Sequence, residues 1–304
     1  MTEFSPSIAI AGSTGFLGSA LFKALTLRGL PVKRLIRVQP HQDTSKEVYW
    51  NPASGHIERV GLEGVDVVIN LVGAPIAGRR WSDTRKKLLY QSRVESTRLL
   101  SRTIAKLKKP PRLMLSASAI GYYGNDPREV VNESSDKGEG FLANLCVDWE
   151  QATEEAQQAG VRVVHLRTGA VLGPGGGMLK RLLTWFRIGL GASLGSGTQP
   201  MSWISLDDWV SACEYLIFQS KLSGPVNLSS QHPVSNFEFS TSLAKALHRK
   251  AWLRIPERLI LWRYGEMGKE LMLGGRKVEP KKLLDAGFKF NHPTLEQALN
   301  AILS

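Results

Sequence analysis

The run Ile8-Ala-Ile-Ala-Gly-Ser-Thr-Gly-Phe-Leu-Gly18 constrains this chain more than any other. An apolar strand runs into glycines at 12, 15 and 18, and Ser19-Ala-Leu-Phe-Lys-Ala-Leu25 continues as a helix. Strand, glycine-rich turn and helix in that order form the setting that a dinucleotide cradle requires. Unpaired N–H groups and the dipole at a helix N-terminus favour a pyrophosphate. A Cβ on Gly12 or Gly15 would obstruct its approach, and Gly18 lets helix and strand pack closely. Ser13, Thr14, Phe16 and Leu17 complete the expected cradle.

The second strand, Pro31-Val-Lys-Arg-Leu-Ile-Arg37, indicates which dinucleotide is held. An NAD site places a carboxylate about 20 residues past the glycines, on the ribose hydroxyls. No Asp or Glu lies between Leu30 and Gln42, and the strand ends on Arg37. A guanidinium there pairs with a 2′-phosphate, which a carboxylate would repel. The expected cofactor is therefore NADP(H), with Arg37 on the phosphate.

Strand and helix patterns alternate from residue 7 to about residue 172, as a doubly wound parallel sheet requires. Asp66–Gly73, Arg112–Ser116 and Val161–Leu166 read as buried parallel strands. Single helices are expected over Thr84–Leu107, before Pro110-Pro111, and over Leu142–Ala159, before Gly160. His165 reads as a packed core histidine. Beyond Gly173 the rhythm changes. An amphipathic helix over Met178–Arg187 follows a glycine-rich loop, and the glycine-rich stretch from Gly189 to Pro200 reads as a mobile connection. Helix starts are signalled at Ser205-Leu-Asp-Asp208 and by the capping box Ser235-Asn-Phe-Glu238. The expected division is a dinucleotide-binding domain over residues 1–172 plus about 203–230, and a smaller C-terminal α/β lobe over about 173–202 and 231–304.

Composition narrows the function classes. The 304 residues carry 39 Lys and Arg against 27 Asp and Glu, a formal charge of +12. The excess is scattered, with no aromatic-interleaved basic stripe, so it reads as attraction for an anionic cofactor and substrate rather than for nucleic acid. No apolar run reaches membrane-spanning length, and the opening residues show no secretory signal. Cys146 and Cys213 stand far apart, forming neither a disulfide framework nor a metal cluster. Buried thiols in a cytoplasmic protein, monomer or homodimer, with no metal and no membrane partner, are expected.

The motifs resemble those of the extended short-chain dehydrogenase/reductase group, the NAD-dependent epimerase/dehydratases, over nearly the whole chain. The resemblance rests on Gly12–Gly18, Asn70-Leu-Val-Gly73, Ser116-Ala-Ser118 with Tyr123-Gly124, Leu166-Arg-Thr-Gly-Ala-Val-Leu-Gly-Pro174, Gly195-Ser-Gly-Thr-Gln199 and Trp203-Ile-Ser-Leu-Asp-Asp208. Gly78-Arg-Arg-Trp81, Ser92-Arg93, Trp149-Glu150 and the stretch Pro256–Leu303 are similar to the subfamily called epimerase family proteins, of the cell-division-inhibitor-like or nucleoside-diphosphate-sugar epimerase type. The resemblance implies a Rossmann fold with NADP(H), and places Asp66, Leu71, Gly73, Arg93 and Arg167 along the cofactor. It also implies a catalytic position for Ser118, which faces the nicotinamide.

One element of the group is missing. Its Tyr-x-x-x-Lys pair sets a general acid–base on one helix face, the lysine lowering the tyrosine pKa. Here that region reads Gly140-Phe-Leu-Ala-Asn-Leu-Cys-Val-Asp148, and Phe141 and Leu145, or Leu142 and Cys146, fill the slots. Two readings stay open. In one, an oxidoreductase or epimerase uses Ser118, with Tyr122 or Tyr123 as the proton-transfer group and Arg93 lowering its pKa or gripping an anionic small-molecule substrate. In the other, the chain binds NADP(H) without turnover, as a sensor or regulator.

Overall fold

The computed structural model describes residues 5–38 and 46–304. Its first half comprises β1 (Ile8–Ala11), α1 (Phe16–Leu27), β2 (Val32–Ile36), β3 (Glu47–Asn51), β4 (His56–Ile57), β5 (Val67–Asn70), α2 (Asp83–Tyr90), α3 (Ser96–Ala105), β6 (Leu113–Ala119), β7 (Val130–Val131), α4 (Phe141–Gln151), α5 (Glu154–Gln158) and β8 (Arg162–Thr168). There follow β9 (Ala170–Leu172), α6 (Gly177–Arg187), β10 (Ala192–Leu194), β11 (Pro200–Met201), β12 (Trp203–Ser205), α7 (Leu206–Phe218) and β13 (Gly224–Leu228). The last elements are β14 (Val234–Ser235), α8 (Asn236–Ala246), β15 (Leu253–Ile255), α9 (Glu257–Tyr264), α10 (Glu266–Gly268), β16 (Lys277–Val278), α11 (Lys281–Asp285) and α12 (Leu295–Leu303).

Eight strands form the main sheet in the order β13-β8-β6-β5-β1-β2-β3-β4. All its pairings are parallel except β3 with the edge strand β4. Strand order reverses between β1 and β5, and the crevice beyond their carboxyl ends is where such sheets bind ligands. This is the α/β doubly wound Rossmann architecture.

The strands are buried on both sides, and alternation sorts their side chains. Ile8 and Ile10 join Leu21 and Leu25 of α1 and Trp209 and Leu216 of α7. Ala9 and Ala11 face the opposite layer, with Leu100 and Ile104 of α3 and Ala156 of α5. Each large aliphatic side chain removed from water contributes roughly 1.5–3 kcal/mol.

Several elements differ from the sequence reading. The Thr84–Leu107 helix is interrupted by a π-helical turn over Gln91–Glu95, between α2 and α3. The Leu142–Ala159 helix divides at Ala152-Thr153, where the Thr153 hydroxyl bonds back to the Glu150 carbonyl and across to His165. The supposed mobile connection contains β10, paired in parallel with β15. Strands β3, β4 and β13 were not anticipated. Their periodicity is weak, and neighbouring strands decide them.

Part of the C-terminal segment packs on the main sheet. Leu283 and Phe288 are part of the main core. Asp208, at the start of α7, is 1% exposed and accepts hydrogen bonds from the backbone N–H of Asn291 at 2.6 Å and of His292 at 3.1 Å. Among the described residues no helix is long and apolar enough to cross a membrane. Replacing Asp208 by Ala orphans both N–H groups, so a loss of about 1–3 kcal/mol is expected. Denaturant melts check this, and an unchanged midpoint contradicts the tie.

Candidate functional site

The glycines of the first turn do different jobs. Gly12 has φ +84°, and a Cβ there would lie 2.9 Å from the Leu71 carbonyl carbon. A Cβ on Gly18 would stand 2.1 Å from the Gly12 carbonyl oxygen. Packing of the turn against α1 and the loop after β5 therefore accounts for both. Gly15 is different. Its φ of −75° suits any residue, and a Cβ there would meet nothing nearer than the Gly12 oxygen at 3.4 Å. The chain itself gives no reason for glycine at this exposed position. A ligand approaching from outside does.

Gly15 caps α1, no side chain hydrogen-bonds to the helix end, and the first turn contains no acidic residue. The first-turn N–H groups therefore need an external partner, and a pyrophosphate supplies one. The residues present fit a dinucleotide. Ser13 is buried and Thr14 exposed beside Gly15. Leu17 packs on the main core. The half-buried Phe16 ring packs against the glycine loop at 173–177, where a Cβ on Gly176 would come within 2.1 Å of it.

Arg37 is exposed just past the end of β2, on the same edge of the parallel sheet as the Gly12 turn. Its two basic neighbours are committed elsewhere. Lys33 donates to the Gly61 carbonyl at 3.0 Å, and the Arg34 guanidinium lies 3.8 Å from the centre of the Phe22 ring.

Asp66 requires a correction. Its carboxylate accepts from the backbone N–H and the hydroxyl of Ser7, both at 2.8 Å, at the amino end of β5. The adenine side of the crevice lies at the carboxyl end, about 13 Å away along a four-residue strand. Asp66 is a strand-start tie, not a cofactor residue. Leu71 does sit at the proper end, its N–H bonded to the Ala11 carbonyl at 2.9 Å.

Beyond β5 the chain is pinned from α2 and the π turn. The Arg93 guanidinium donates to the Ala74 carbonyl at 2.9 Å and the Leu89 carbonyl at 3.3 Å, and Arg85 donates to Pro75. Ser92 accepts from the Ala74 N–H at 3.1 Å, and the Trp81 indole donates to Ile76 at 3.0 Å. Arg93 is only 9% exposed and lies against the Trp149 ring. Burial lowers its pKa to about 10, so it remains a cation at neutral pH. It is a buried charge held by carbonyl groups, and among the described residues no carboxylate lies in ion-pair contact with it. A Cβ on exposed Gly73 would come within 3.2 Å of its central carbon. The bare backbone at Gly73 therefore keeps a cation close to the surface of the crevice. π turns commonly mark functional positions.

Ser118 and Arg167 face each other across β6 and β8 and meet one carboxylate from α4. Ser118 Oγ donates to Glu150 Oε1 at 2.6 Å, and Arg167 grips Glu150 through Nε and Nη2, both at 2.8 Å. Arg167 Nη1 donates to the Tyr123 hydroxyl at 3.0 Å, which donates to Asn227 Oδ1 at 2.7 Å. Burial works against the charge on Glu150, yet the Arg167 hydrogen bonds hold its pKa below the ordinary carboxylate value. Burial would also lower the Arg167 pKa, and Glu150 overcomes that and raises it. His165, with Nδ1 3.7 Å from Glu150, is pushed down by burial and is neutral at pH 7.

Two more expectations change. Tyr123 is fully buried, and burial raises its pKa to about 12 despite Arg167. Both of its hydroxyl bonds, to Arg167 and to Asn227, are internal. Arg167 directs three of its N–H groups at Glu150 and Tyr123, which ties it into the fold between β6, β8 and α4. Tyr122 is half-buried, its ring stacked on the Arg167 guanidinium at 3.4 Å. On α4, Cys146 Sγ lies 3.6 Å from the Ala119 carbonyl, and burial pushes its pKa up to about 12. Leu142, one turn earlier, packs on Gly121. This face of α4 offers no proton donor. Glu150 was noted in the sequence only as part of a motif. A lone acidic residue in a helix gives no sign of its partner.

A doubly wound sheet with a bare, uncapped phosphate turn at its switch point defines a dinucleotide-binding α/β protein, and comparison with known proteins agrees. The profile described as "NAD dependent epimerase/dehydratase family" matches residues 8–228, and a second, "Domain of unknown function (DUF1731)", matches residues 255–302. The chain belongs to the NAD-dependent epimerase/dehydratase family. It is 48% identical over 292 residues to epimerase family protein Mb2239 of Mycobacterium bovis, covering 96% of each chain. It is 33% identical over 301 residues to epimerase family protein YfhF of Bacillus subtilis, covering 98% of each. The crystal structure of human epimerase family protein SDR39U1 with NADPH superposes with a TM-score of 0.88 at 31% identity, over 98% of this chain and 99% of that one.

Two results are expected. Gly15→Ala should leave the melting temperature nearly unchanged yet weaken dinucleotide binding, whereas Gly18→Ala should impair folding. Equal effects of the two in melts and titrations would refute the division of labour. Glu150→Ala should destabilise by about 3–5 kcal/mol, because it strands a buried Arg167. Since folding lowers the Glu150 pKa, its contribution is present above the ordinary value of 4.5 and is lost as pH falls through the folded value. Acid unfolding of Glu150→Gln should therefore be less steep than that of the wild type.

Proposed function

We propose that the chain is an NADP(H)-dependent oxidoreductase or epimerase-type enzyme of the cytoplasm, acting on a small molecule that carries a hydroxyl or carbonyl group. The observation that carries the reading is the open face of Gly15 at an uncapped helix N-terminus. NADPH in the human relative supports the choice of cofactor. So does Arg37, exposed at the ribose end while Lys33 and Arg34 are engaged in the fold. Gly12, Ser13, Thr14, Gly15, Phe16, Leu17 and Gly18 would hold the pyrophosphate side, and Leu71 and Gly73 the floor. Arg93 would hold negative charge on cofactor or substrate. The bound cofactor supplies or accepts hydride.

Proton handling falls to Ser118. Its hydroxyl proton is already directed at Glu150. In the oxidising direction, Ser118 Oγ takes the proton of a substrate alcohol as its own passes to Glu150. The reverse order protonates a carbonyl oxygen. Arg167 keeps Glu150 ionised, and Tyr122 would line the substrate side. The second reading, a non-catalytic NADP(H) sensor, is favoured by sealed Tyr123 and by Leu142 and Cys146 in the acid–base slots.

NADPH in large excess over its dissociation constant should stabilise the protein by several kcal/mol, about 2.7 at a hundredfold excess, and more than NADH does. Arg37→Glu should cancel or invert that preference in calorimetry without lowering the melting point of the apo protein. Unaltered NADPH affinity would exclude Arg37 from the phosphate. With a panel of carbonyl compounds and sugar nucleotides, Ser118→Ala should reduce kcat about 10²–10⁴-fold and retain the NADPH-induced shift. No turnover across a broad panel, with that shift intact, would move the assignment to the sensor.

A further inference from the structure

A second surface, remote in sequence from the phosphate turn, exposes large apolar side chains among cations. At the end of α6, Trp185 is 57%, Ile188 62% and Leu190 47% exposed. The Leu190 N–H closes the turn onto the Trp185 carbonyl at 2.9 Å. The neighbouring segment shows Trp252, 75% exposed, just before β15. Strands β10 and β15 run parallel with Ala192 opposite Leu253, so Trp252 falls within ~10 Å, about two strand spacings, of Leu190. Arg249 Nε donates to the Arg187 carbonyl at 3.0 Å and ties the two segments together. The two segments that carry these exposed side chains are therefore neighbours on the protein.

Its charge is one-sided. Residues 178–199 and 239–256 contain no Asp or Glu. Arg187, His248, Arg249 and Lys250 are all exposed there. Lys245 is paired with Glu296 of α12, and Arg254 with the Gly195 carbonyl. The exposed pair Leu259 and Trp262 lies on α9, between Glu257 and Glu266, and is left out of this surface.

We infer that this surface docks the protein peripherally on an anionic lipid bilayer. Tryptophans settle at the membrane–water boundary, and aliphatic side chains beside them enter the acyl region. Lys and Arg around them are drawn to anionic headgroups. Charge complementarity selects this occupant. A second copy related by a two-fold axis would set one acid-free basic face against another, which repels. A nucleic-acid groove would use the aromatic rings but has no use for Ile188 and Leu190. The attachment needs no spanning segment. The phosphate turn takes no part in it, so it is independent of the function proposed above.

The test mixes the full chain with phosphatidylcholine vesicles, with and without phosphatidylglycerol. Co-sedimentation with the anionic vesicles alone, a blue shift of tryptophan emission and release at high salt are expected. The double variant Trp185→Ser, Trp252→Ser should lose both sedimentation and shift. Arg187→Gln with Lys250→Gln should weaken partitioning about fivefold per cation removed, the equivalent of about 1 kcal/mol each near the surface. An unchanged melting temperature in each variant shows that the fold is intact. Failure to sediment with anionic vesicles overturns the proposal, as does equal sedimentation of the tryptophan variant. A dimer that Trp185→Ser dissociates, or binding of single-stranded DNA in place of lipid, also overturns it.

Discussion

The close approach of α1 to the end of β1 is the contact on which the rest depends. Gly18 lies so near the Gly12 carbonyl that no side chain fits between them, and Gly12 presses equally on the loop after β5. These two contacts join the helix, the first strand and its sheet neighbour at the reversal of strand order. The free N–H groups of α1 are thereby aimed into the crevice, at the same sheet edge where β2 delivers Arg37 and the β5 loop lies over Arg93. The site exists because backbones touch there, and the functional side chains are arranged around that contact.

A second constraint is electrostatic. Between β6, β8 and α4 the chain buries a carboxylate and a guanidinium, and it compensates them with paired 2.8 Å hydrogen bonds, a serine hydroxyl and a tyrosine hydroxyl. Such a group is expensive to assemble and strongly destabilising to break. It fixes the Ser118 rotamer and seals Tyr123. It also holds the α4 face where the wider family has an acid–base pair. The neighbourhood of Ser118 is rigid and polar, although the residues that usually give it activity are absent.

The segment after residue 230 acts as a clamp on this arrangement. Glu270 caps the N-terminus of α4, its two oxygens accepting from Phe141 N at 3.0 Å and Leu142 N at 3.1 Å. Arg276 reaches the Tyr123 carbonyl at 2.8 Å, and Asn227 Nδ2 the Glu279 carbonyl at 2.8 Å. The part of the chain matched by the domain of unknown function therefore supports the central helix and the Tyr123 turn from outside the sheet.

The phosphate turn, the parallel strands and the class of fold were legible in the sequence because each is encoded locally. Glycine spacing dictates backbone approach, and unbroken apolar runs dictate strands buried on both faces. Gly15 shows how far that reaches: the motif named it, but only the packing showed that nothing inside the protein requires it. Asp66 was misplaced because its strand was recognised without regard to which end faced the crevice. Arg167 was placed along the cofactor, Tyr123 among the proton-transfer candidates and Glu150 only within a motif, because pairing across two strands and a helix leaves no trace in spacing. The π turn that presents Arg93 was hidden within a normal helical pattern. Local backbone rules thus determined where a dinucleotide can lie. Long-range pairing of buried charges, which depends on elements far apart in the chain, decided which side chains remain free to meet it.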